Sequence, residues 1–148
     1  MIIPDANLLL YAYDSESTFF APARRWWTDC LNGTKPVGLC HAVICAFVRI
    51  STNSRVYANP ISLEAATRHV ETWYTRRVTR TLLPDEGHHS AVLDLLQAAG
   101  SAGANLVTDA QIAAIALAHR GEIHTADQDF RRFSGLKCRF PLETYGCF

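Results

Sequence analysis

Short apolar runs alternate along the chain with longer segments whose apolar residues recur at helical spacing. The runs have the length of strands, and we expect four of them, at residues 2–4, 36–40, 78–83 and 122–125. Helical segments of about ten or more residues separate these strands, which favours βαβ units and helices on both faces of a mainly parallel sheet. The pattern therefore predicts a single three-layer α/β/α domain over residues 1–148, with a short, mainly parallel central sheet.

Local signals mark several ends of the expected helices. Asn32 and Gly33 offer a left-handed cap, and Ser62 is a favourable N-cap. Thr108 and Gln111 match a capping box, in which each side chain bonds the other residue's free backbone N–H, so we expect a helix to begin there. That last helix is so uniformly apolar that other elements should cover nearly all of it. The expected helical segments are residues 8–12, 20–31, 42–50, 63–73, 85–99 and 112–118.

Composition is typical of a globular protein and, taken as a whole, indicates no charged partner. Hydrophobic residues make up 49% and charged residues 19% of the chain, and 14 basic residues balance 14 acidic ones. Locally the balance breaks, because residues 49–80 contain six arginines against only Glu64 and Glu71. Such an excess suits phosphate groups, but it is equally typical of solvated helix faces.

The chain shows neither a secretion signal nor a membrane-spanning stretch. Its first residues, MIIPDAN, lack a basic start, and the longest uncharged apolar run, residues 42–48, is too short to cross a bilayer. The five cysteines include no C-x-x-C pair, which argues against a disulfide framework or a zinc knuckle. We expect a cytoplasmic protein without membrane contact, whose cysteines, Cys147 included, are reduced and mostly buried.

Three aspartates follow apolar runs and should gather at one edge of the sheet. Asp5 follows the first strand, Asp109 opens a helix after Leu106 and Val107, and Asp127 follows the fourth strand. Each alone is explained as well by helix capping, a role that aspartate favours. Together, carboxylates at one edge repel each other unless a cation lies among them, and oxygen ligands favour Mg²⁺ or Mn²⁺. The group therefore indicates metal-assisted phosphodiester hydrolysis.

Other kinds of site have weaker support. The chain contains no Walker loop, dinucleotide fingerprint, nucleophile elbow or HExxH motif. None of the six histidines has metal-ligand spacing, and His88 and His89 are expected to be exposed in the first turn of a helix. A phosphotransfer domain is disfavoured because such sites generally need a lysine, and only Lys35 and Lys137 are present.

Three motifs give the chain a family resemblance. They are Asp-Ala-Asn at residues 5–7, TDAQIAA at 108–114 and TADQDF at 125–130, followed by FSGL at 133–136. In order and spacing the motifs resemble the PIN domain, specifically the VapC-type toxins of toxin–antitoxin pairs. The resemblance implies a metal-dependent endoribonuclease, usually a homodimer, that a small antitoxin inactivates by covering the site.

One position departs from the usual PIN pattern. A glutamate in an E-x-x-R setting is common on the helix after the second strand, whereas this chain has Ala46 ahead of Arg49. A group of VapC-type proteins with F-x-R-I-x-T, matched by residues 47–52, resembles this chain in lacking the acid. The resemblance thus supports a metal-binding set of Asp5, Asp109 and Asp127. Asp129 either joins this set or starts a turn. Binding of one hydrated ion and binding of two ions are both left as alternatives. A further alternative is a PIN fold that has lost catalytic turnover and binds RNA or a partner.

The remaining candidates are assigned supporting roles, each with an alternative. Asn7 orients Asp5 or a metal-bound water, or it caps the first helix. Thr125 bonds a carboxylate or a backbone group, and Arg49 reaches an RNA phosphate or forms a structural ion pair. The aromatic residues at helical spacing are assigned to the core or a dimer interface rather than to base stacking; they are Trp26, Trp27, Trp73 and Tyr74.

Overall fold

The computed structural model describes residues 1–100 and 103–145 and shows one five-stranded sheet in which every strand pair is parallel. The strand order is β3-β2-β1-β4-β5. The strands are β1 (Ile2–Pro4), β2 (Val37–Cys40), β3 (Thr79–Leu82), β4 (Glu122–His124) and β5 (Lys137–Arg139). The helices are α1 (Ala6–Tyr13), α2 (Phe20–Asn32), α3 (His41–Ser51), α4 (Leu63–Tyr74), α5 (His88–Ala99), α6 (Gly103–Ala118) and α7 (Pro141–Tyr145), with a 3₁₀ helix at Gln128–Arg132.

The first strand lies at the centre of the sheet, and its neighbours are separated from it by long stretches of sequence. It pairs with β4 through Ile2 opposite Glu122 and Pro4 opposite His124, and with β2 on the other side. Every residue of β1 and β2 is buried, which requires cover on both faces and explains why these strands read as unbroken apolar runs. The predicted α/β architecture and parallel sheet are confirmed.

Aromatic side chains fill much of the core beside the sheet. Trp26, Trp27 and Trp73 are at most 2% exposed, and the Trp73 ring packs edge-on against both Trp27 and Phe47. The buried Trp73 indole N–H is satisfied because it donates to the Tyr13 hydroxyl at 2.7 Å. The assignment of the three tryptophans to the core is confirmed.

The capping box predicted at Thr108 is wrong. α6 begins at Gly103, so Thr108 and Gln111 lie inside the helix and cap nothing. A Thr-x-x-Gln sequence is also compatible with helix interior, and nothing in the preceding residues stops the helix earlier. Packing also favours the longer helix, because α6 lies against α5 over much of its length. Of the apolar segment 112–118 that we expected to be covered, residues 112–116 are buried as predicted, whereas Leu117 and Ala118 are exposed.

Two helix ends and two whole elements also differ from expectation. α5 begins at His88 rather than at residue 85. Gly33 ends α2 with φ −79°, so the predicted left-handed cap is wrong; glycine is needed there because a Cβ would lie 2.9 Å from the Asp29 carbonyl oxygen. The edge strand β5 and the helix α7 were not predicted. The β5 run is only three residues long, with exposed Lys137 and Arg139 around a half-buried Cys138, which is too little pattern to identify a strand.

The described cysteines are all free: Cys30 and Cys40 are buried, Cys138 is half-buried and Cys45 is exposed. The expectation for Cys147 lies outside the described residues. Of the pair expected to be exposed, His89 is exposed and His88 is half-buried. Within residues 1–100 and 103–145, no helix combines the length and the apolar character needed to cross a bilayer.

The contact between β2 and β3 leaves no room for a side chain at Gly38. A Cβ there would contact Leu82 Cδ1 and would lie 2.9 Å from both Leu82 Cγ and Met1 Sδ. We expect Gly38→Ala to lower the free energy of unfolding by about 1–3 kcal/mol through overpacking. Gly87→Ala is the matched control, since its Cβ would meet only Asp85 Oδ1, at 3.5 Å. Equal urea midpoints for the two variants would contradict this account of the sheet.

Candidate acidic site at the carboxyl edge of the sheet

Asp5 is a buried carboxylate directly after the central strand. Its backbone N–H donates to the His124 carbonyl at 2.8 Å, which continues the β1–β4 pairing by one residue, and its side chain is only 6% exposed. Burial raises the pKa of Asp5 to about 6, against the opposing effect of a hydrogen bond from Thr125. Asp5 occupies the N-cap position of α1 without a side-chain hydrogen bond that caps the helix, although the backbone N–H groups of Ala6 and Asn7 lower its pKa.

Thr125 connects the ends of the two central strands. Its hydroxyl donates to Asp5 Oδ2 at 2.7 Å and accepts the backbone N–H of Asp127 at 2.9 Å. The same hydroxyl oxygen accepts from Asn7 Nδ2 at 3.3 Å, and Asn7 Oδ1 accepts the Ala126 N–H at 3.4 Å. Thr125 therefore bonds both a carboxylate and a backbone group. The Asn7 side chain reaches Asp5 through Thr125, and the Asn7 backbone N–H also lowers the pKa of Asp5. Asn7 lies inside α1 and does not cap it.

Asp109 lies well inside α6, and the prediction that it opens a helix is wrong for the reason given for Thr108. It is half-buried, and its pKa is raised to about 7, first by burial and then by the charges of Asp5, Asp127 and Asp129. Since Asp109 occupies neither an N-cap nor a first turn, the favourable effect of a carboxylate at a helix start cannot explain it. The fold instead brings a costly charge close to three others.

Asp127 and Asp129 lie in the turn after β4. Asp127 caps the 3₁₀ helix, because its Oδ1 accepts the Asp129 N–H at 2.8 Å, yet its charge still acts on Asp5 and Asp109. The Asp129 side chain is 54% exposed and lies 3.8 Å from Arg132, whose guanidinium also donates to the Ala99 carbonyl at 2.9 Å. Arg132 thus ties the acidic turn to the end of α5. The sequence reasoning missed Arg132, although its i,i+3 spacing from Asp129 is a visible signal.

The four aspartates form an electrostatic cluster rather than a closed cage. Their charges raise the pKa of Asp109, and Asp127 adds to that of Asp5. In the part of the chain that the structure describes, no three acidic, histidine or cysteine side chains already converge enough to hold one ion together. Oxygen donors with unrelieved mutual repulsion fit a divalent cation, and Mg²⁺ commonly keeps several waters between itself and its carboxylates. The fit is therefore to a hydrated ion.

Two residues of α3 stand apart from this cluster. Arg49 is exposed in the last turn of the helix, and its guanidinium makes no ion pair within residues 1–100 and 103–145, so the structural ion pair considered for it is not found. Ala46 is 6% exposed and belongs to the hydrophobic core. No carboxylate enters the site from this position.

His124 is a second buried titratable group that the sequence reasoning did not single out. Its Nδ1 accepts the Trp26 indole N–H at 3.0 Å, and its Nε2 faces Glu122 Oε1 at 2.9 Å. Because the indole can only donate, the imidazole proton lies on Nε2. Burial lowers the pKa of His124, although the bond to Glu122 opposes the shift. His124 is thus a neutral core residue at the end of β4.

Comparison with known proteins agrees with this architecture over nearly the whole chain. A family model described as PIN domain matches residues 2–136. Ribonuclease VapC33 of Mycobacterium tuberculosis is 39% identical over 142 residues, which cover 96% of this chain and 99% of that protein. Ribonuclease VapC37 of the same organism is 37% identical over 141 residues, covering 95% of this chain and 97% of its own.

Solved structures share the fold at lower sequence identity. FitAB bound to an IR36 DNA fragment superposes with a TM-score of 0.65 at 15% identity, covering 95% of each chain. VapBC2 from Rickettsia felis, bound to a DNA fragment from its promoter, superposes with a TM-score of 0.60 at 14% identity, covering 94% of this chain and 98% of that one.

The raised carboxyl pKa values predict how metal-free stability depends on pH. Asp5 and Asp109 have pKa values of about 6 and about 7 in the folded state, above the ordinary aspartate value of 3.8. Their contribution to the free energy of unfolding is therefore fully present below about pH 3.8 and is lost as pH rises through about 7. His124 acts in the opposite direction, because its lowered pKa favours the unfolded state as pH falls below about 6.5. Comparing variants separates these effects.

With a chelator present, we expect the melting temperature of the parent to fall more between about pH 5.5 and about pH 8 than that of Asp109→Asn, because the variant lacks the charge that forms in this window. Asp94→Asn, an exposed acid on α5, is the control and should follow the parent. Parallel pH profiles for the parent and Asp109→Asn would show that Asp109 is not destabilised by its neighbours.

Proposed function

The chain belongs to the PIN-domain family, and from that premise we propose that it is a divalent-metal-dependent endoribonuclease toxin that a cognate antitoxin neutralises. The observation that supports the activity is the repulsive cluster of Asp5, Asp109, Asp127 and Asp129 at the carboxyl edge of a parallel sheet, where open α/β folds bind their ligands. The protein gives up stability to keep these charges together. Such a cost is expected where function requires the charges.

In this proposal Asp5, Asp109 and Asp127 hold Mg²⁺ or Mn²⁺, some of them through water, and Asp129 lies at the exposed rim. When bound, the ion lowers the pKa of a water and neutralises charge on the phosphodiester. The chain's own residues do the positioning. Thr125 fixes Asp5 with a 2.7 Å bond and holds the Asp127 backbone at 2.9 Å, so the two carboxylates are oriented by one hydroxyl group. Asn7 in turn orients Thr125.

The relatives support the substrate class and the partner. VapC33 and VapC37 are named as ribonucleases, and the structural neighbours from Rickettsia felis and Haemophilus influenzae are VapBC complexes. We extend both properties to this chain: RNA as substrate, in the cytoplasm, and a small antitoxin that covers the acidic edge with a basic, partly apolar segment. An arginine of such a segment would form a bidentate ion pair with one of these carboxylates. We also propose a homodimer, in accordance with the family resemblance, and contact between Arg49 and an RNA phosphate.

One observation favours a second candidate, a PIN domain with weak or no turnover that binds RNA or a partner. The position that carries a glutamate in many PIN domains is Ala46, which lies in the hydrophobic core. The site therefore has four aspartates and no acid from α3. Cleavage assays separate the two candidates, because a binding module would retain RNA without cutting it.

We expect RNA cleavage to require Mg²⁺ or Mn²⁺ and to fall by roughly 100-fold or more in Asp5→Asn, Asp109→Asn and Asp127→Asn, since an ion of this kind supplies several kcal/mol to the transition state. The exchange is conservative: an asparagine at 127 retains an oxygen to cap the 3₁₀ helix, and one at 5 retains an acceptor for Thr125. Time courses with labelled RNA provide the measurement, and Asp94→Asn is the control that should cleave like the parent.

Retained cleavage in all three variants, or full activity in the presence of a chelator, would contradict the assignment of these aspartates as metal ligands. Tight RNA binding by the parent without cleavage in either metal would instead favour the binding module. The two failures are distinguishable because binding and cleavage are measured on the same labelled RNA.

Thr125 provides a test of positioning at the site. Thr125→Val removes the donor to Asp5 and the acceptor for Asp127, so we expect cleavage to fall by about 10- to 100-fold. Since the Thr125 bond lowers the pKa of Asp5, its loss should also shift the acidic limb of the pH–rate profile to higher pH. Thr125→Ser, which keeps the hydroxyl, is the control. A lower rate with an unmoved pH profile would indicate that Thr125 contributes only to packing.

A further inference from the structure

A large cleft lies away from the acidic site, at the amino ends of β2 and β3. Its volume is about 640 Å³, and it is bounded by the end of α2 and the turn between α4 and β3. No acidic side chain lines it. The lining residues are Leu31, Asn32, Gly33, Thr34, Pro36, Thr75, Arg76, Arg77, Val78 and Arg80.

Three of the six arginines in residues 49–80 line this cleft. Arg76 and Arg77 lie in the turn after α4 and not on a helix face. Both are exposed, and within residues 1–100 and 103–145 neither guanidinium has an acidic partner. Arg80 is held in place, because its guanidinium donates to the carbonyls of Arg77 at 2.6 Å and Thr79 at 2.8 Å. The cleft thus combines a fixed guanidinium with two that lack an acidic partner.

The chemistry of the lining favours the phosphates of a polyanion. Guanidinium groups match phosphate oxygens with a planar fork of donors, and Asn32, Thr34 and Thr75 add polar side chains. The apolar side chains of the lining are Leu31, Pro36 and Val78. A neighbouring cleft of about 190 Å³ shares Gly33 and Thr34 and adds Lys35 and Arg139, beside a single acid, Asp29. Basic groups therefore continue beyond the first cleft.

The position of the cleft limits the kind of polyanion. The acidic cluster follows the carboxyl ends of β1 and β4, whereas the cleft lies at the amino ends of β2 and β3. Strands of three or four residues span roughly 10–13 Å, so a single nucleotide at the acidic site would not reach the cleft at the opposite edge of the sheet. A longer or folded RNA can contact both edges.

We propose that the cleft of Arg76, Arg77 and Arg80 binds backbone phosphates of a folded RNA whose scissile bond lies at the acidic edge. The inference rests on the proposed ribonuclease function and adds a second, distant contact with the substrate. The contact is to phosphate and selects for RNA length and shape rather than base sequence. Arg76 and Arg77 act in binding and take no part in the chemical step.

The test is binding of a fluorescent RNA hairpin with a single-stranded tail, measured by anisotropy in a chelator over a series of KCl concentrations. We expect Arg76→Ala/Arg77→Ala to weaken binding about 10-fold or more at low salt and to reduce the slope of log K against log salt by about two, roughly one for each lost phosphate contact. Arg77→Glu should weaken it further, and Arg77→Lys less. Arg68→Ala is the control, since Arg68 lies outside the cleft beside Glu64 on α4.

Cleavage by the metal-loaded enzyme provides a second readout. The double variant should show a raised KM for the hairpin with kcat retained, and unchanged cleavage of an oligonucleotide too short to reach the cleft. Equal loss on both substrates would overturn the proposal, because the arginines would then affect the acidic site. Unchanged hairpin binding in a double variant whose parent binds and cleaves RNA would overturn the inference and leave the proposed function intact. A parent that neither binds nor cleaves RNA would overturn both the inference and the proposed function. If the double variant lost binding only to duplex DNA, measured by the same anisotropy assay, the cleft would be a DNA site and the inference would be overturned.

Discussion

The parallel pairing of β1 with β4 is the constraint on which the site depends. It sets Pro4 opposite His124 and extends by one bond, from the Asp5 N–H to the His124 carbonyl. Thr125, the next residue of the chain, then has its hydroxyl 2.7 Å from the Asp5 carboxylate. A shift of one residue in this pairing would move the Asp5 and Thr125 side chains to opposite faces of the sheet, and the bond would be lost. The site geometry is therefore a direct product of backbone hydrogen bonding between strands more than 100 residues apart in the sequence.

Packing around this junction explains why the charges of these carboxylates lower the stability of the fold. Asp5 lies next to a buried core, and Asp109 projects from a helix whose neighbouring residues 112–116 are buried, so both charges lose solvation. Hydrogen bonding compensates only in part, since Thr125 lowers the pKa of Asp5 without restoring its ordinary value. Protonation of Asp5 and Asp109 relieves the repulsion at low pH, and the proposed cation would relieve it at higher pH. Stability, pH dependence and the proposed hydrolysis thus follow from the same four side chains.

The zero net charge of the chain conceals a separation of charge along the strands. Acidic groups occupy the carboxyl edge, and arginines occupy the amino ends of β2 and β3. For a polyanionic substrate the basic edge attracts, whereas the acidic edge repels until metal is bound. In the proposed function the two edges therefore have different roles: the basic edge holds the RNA, and the acidic edge, once loaded with metal, hydrolyses it.

Some of this could be predicted from the sequence, because it depends on interactions local to each segment. Apolar runs and helical spacing identified four of the five strands and the main helices. The order of the motifs in the sequence was enough to place Asp5, Asp109 and Asp127 in one group. Ser62 capped its helix as predicted, since capping involves only the next three residues. What failed locally was the start of α6, where the packing of α5 against α6 outweighed a plausible cap.

Tertiary structure decided everything that depends on distant residues. The edge strand β5 exists because β4 offers it a partner, and its own three residues contain no adequate signal. Pairing between distant strands made Thr125, rather than Asn7, the side-chain partner of Asp5, and docking of α6 determined which charges Asp109 meets. The basic cleft likewise required α2, α4 and the starts of two strands to converge. Burial and pairing between remote segments set a carboxylate's solvation and its neighbours, and neither is encoded in the few residues on each side of it.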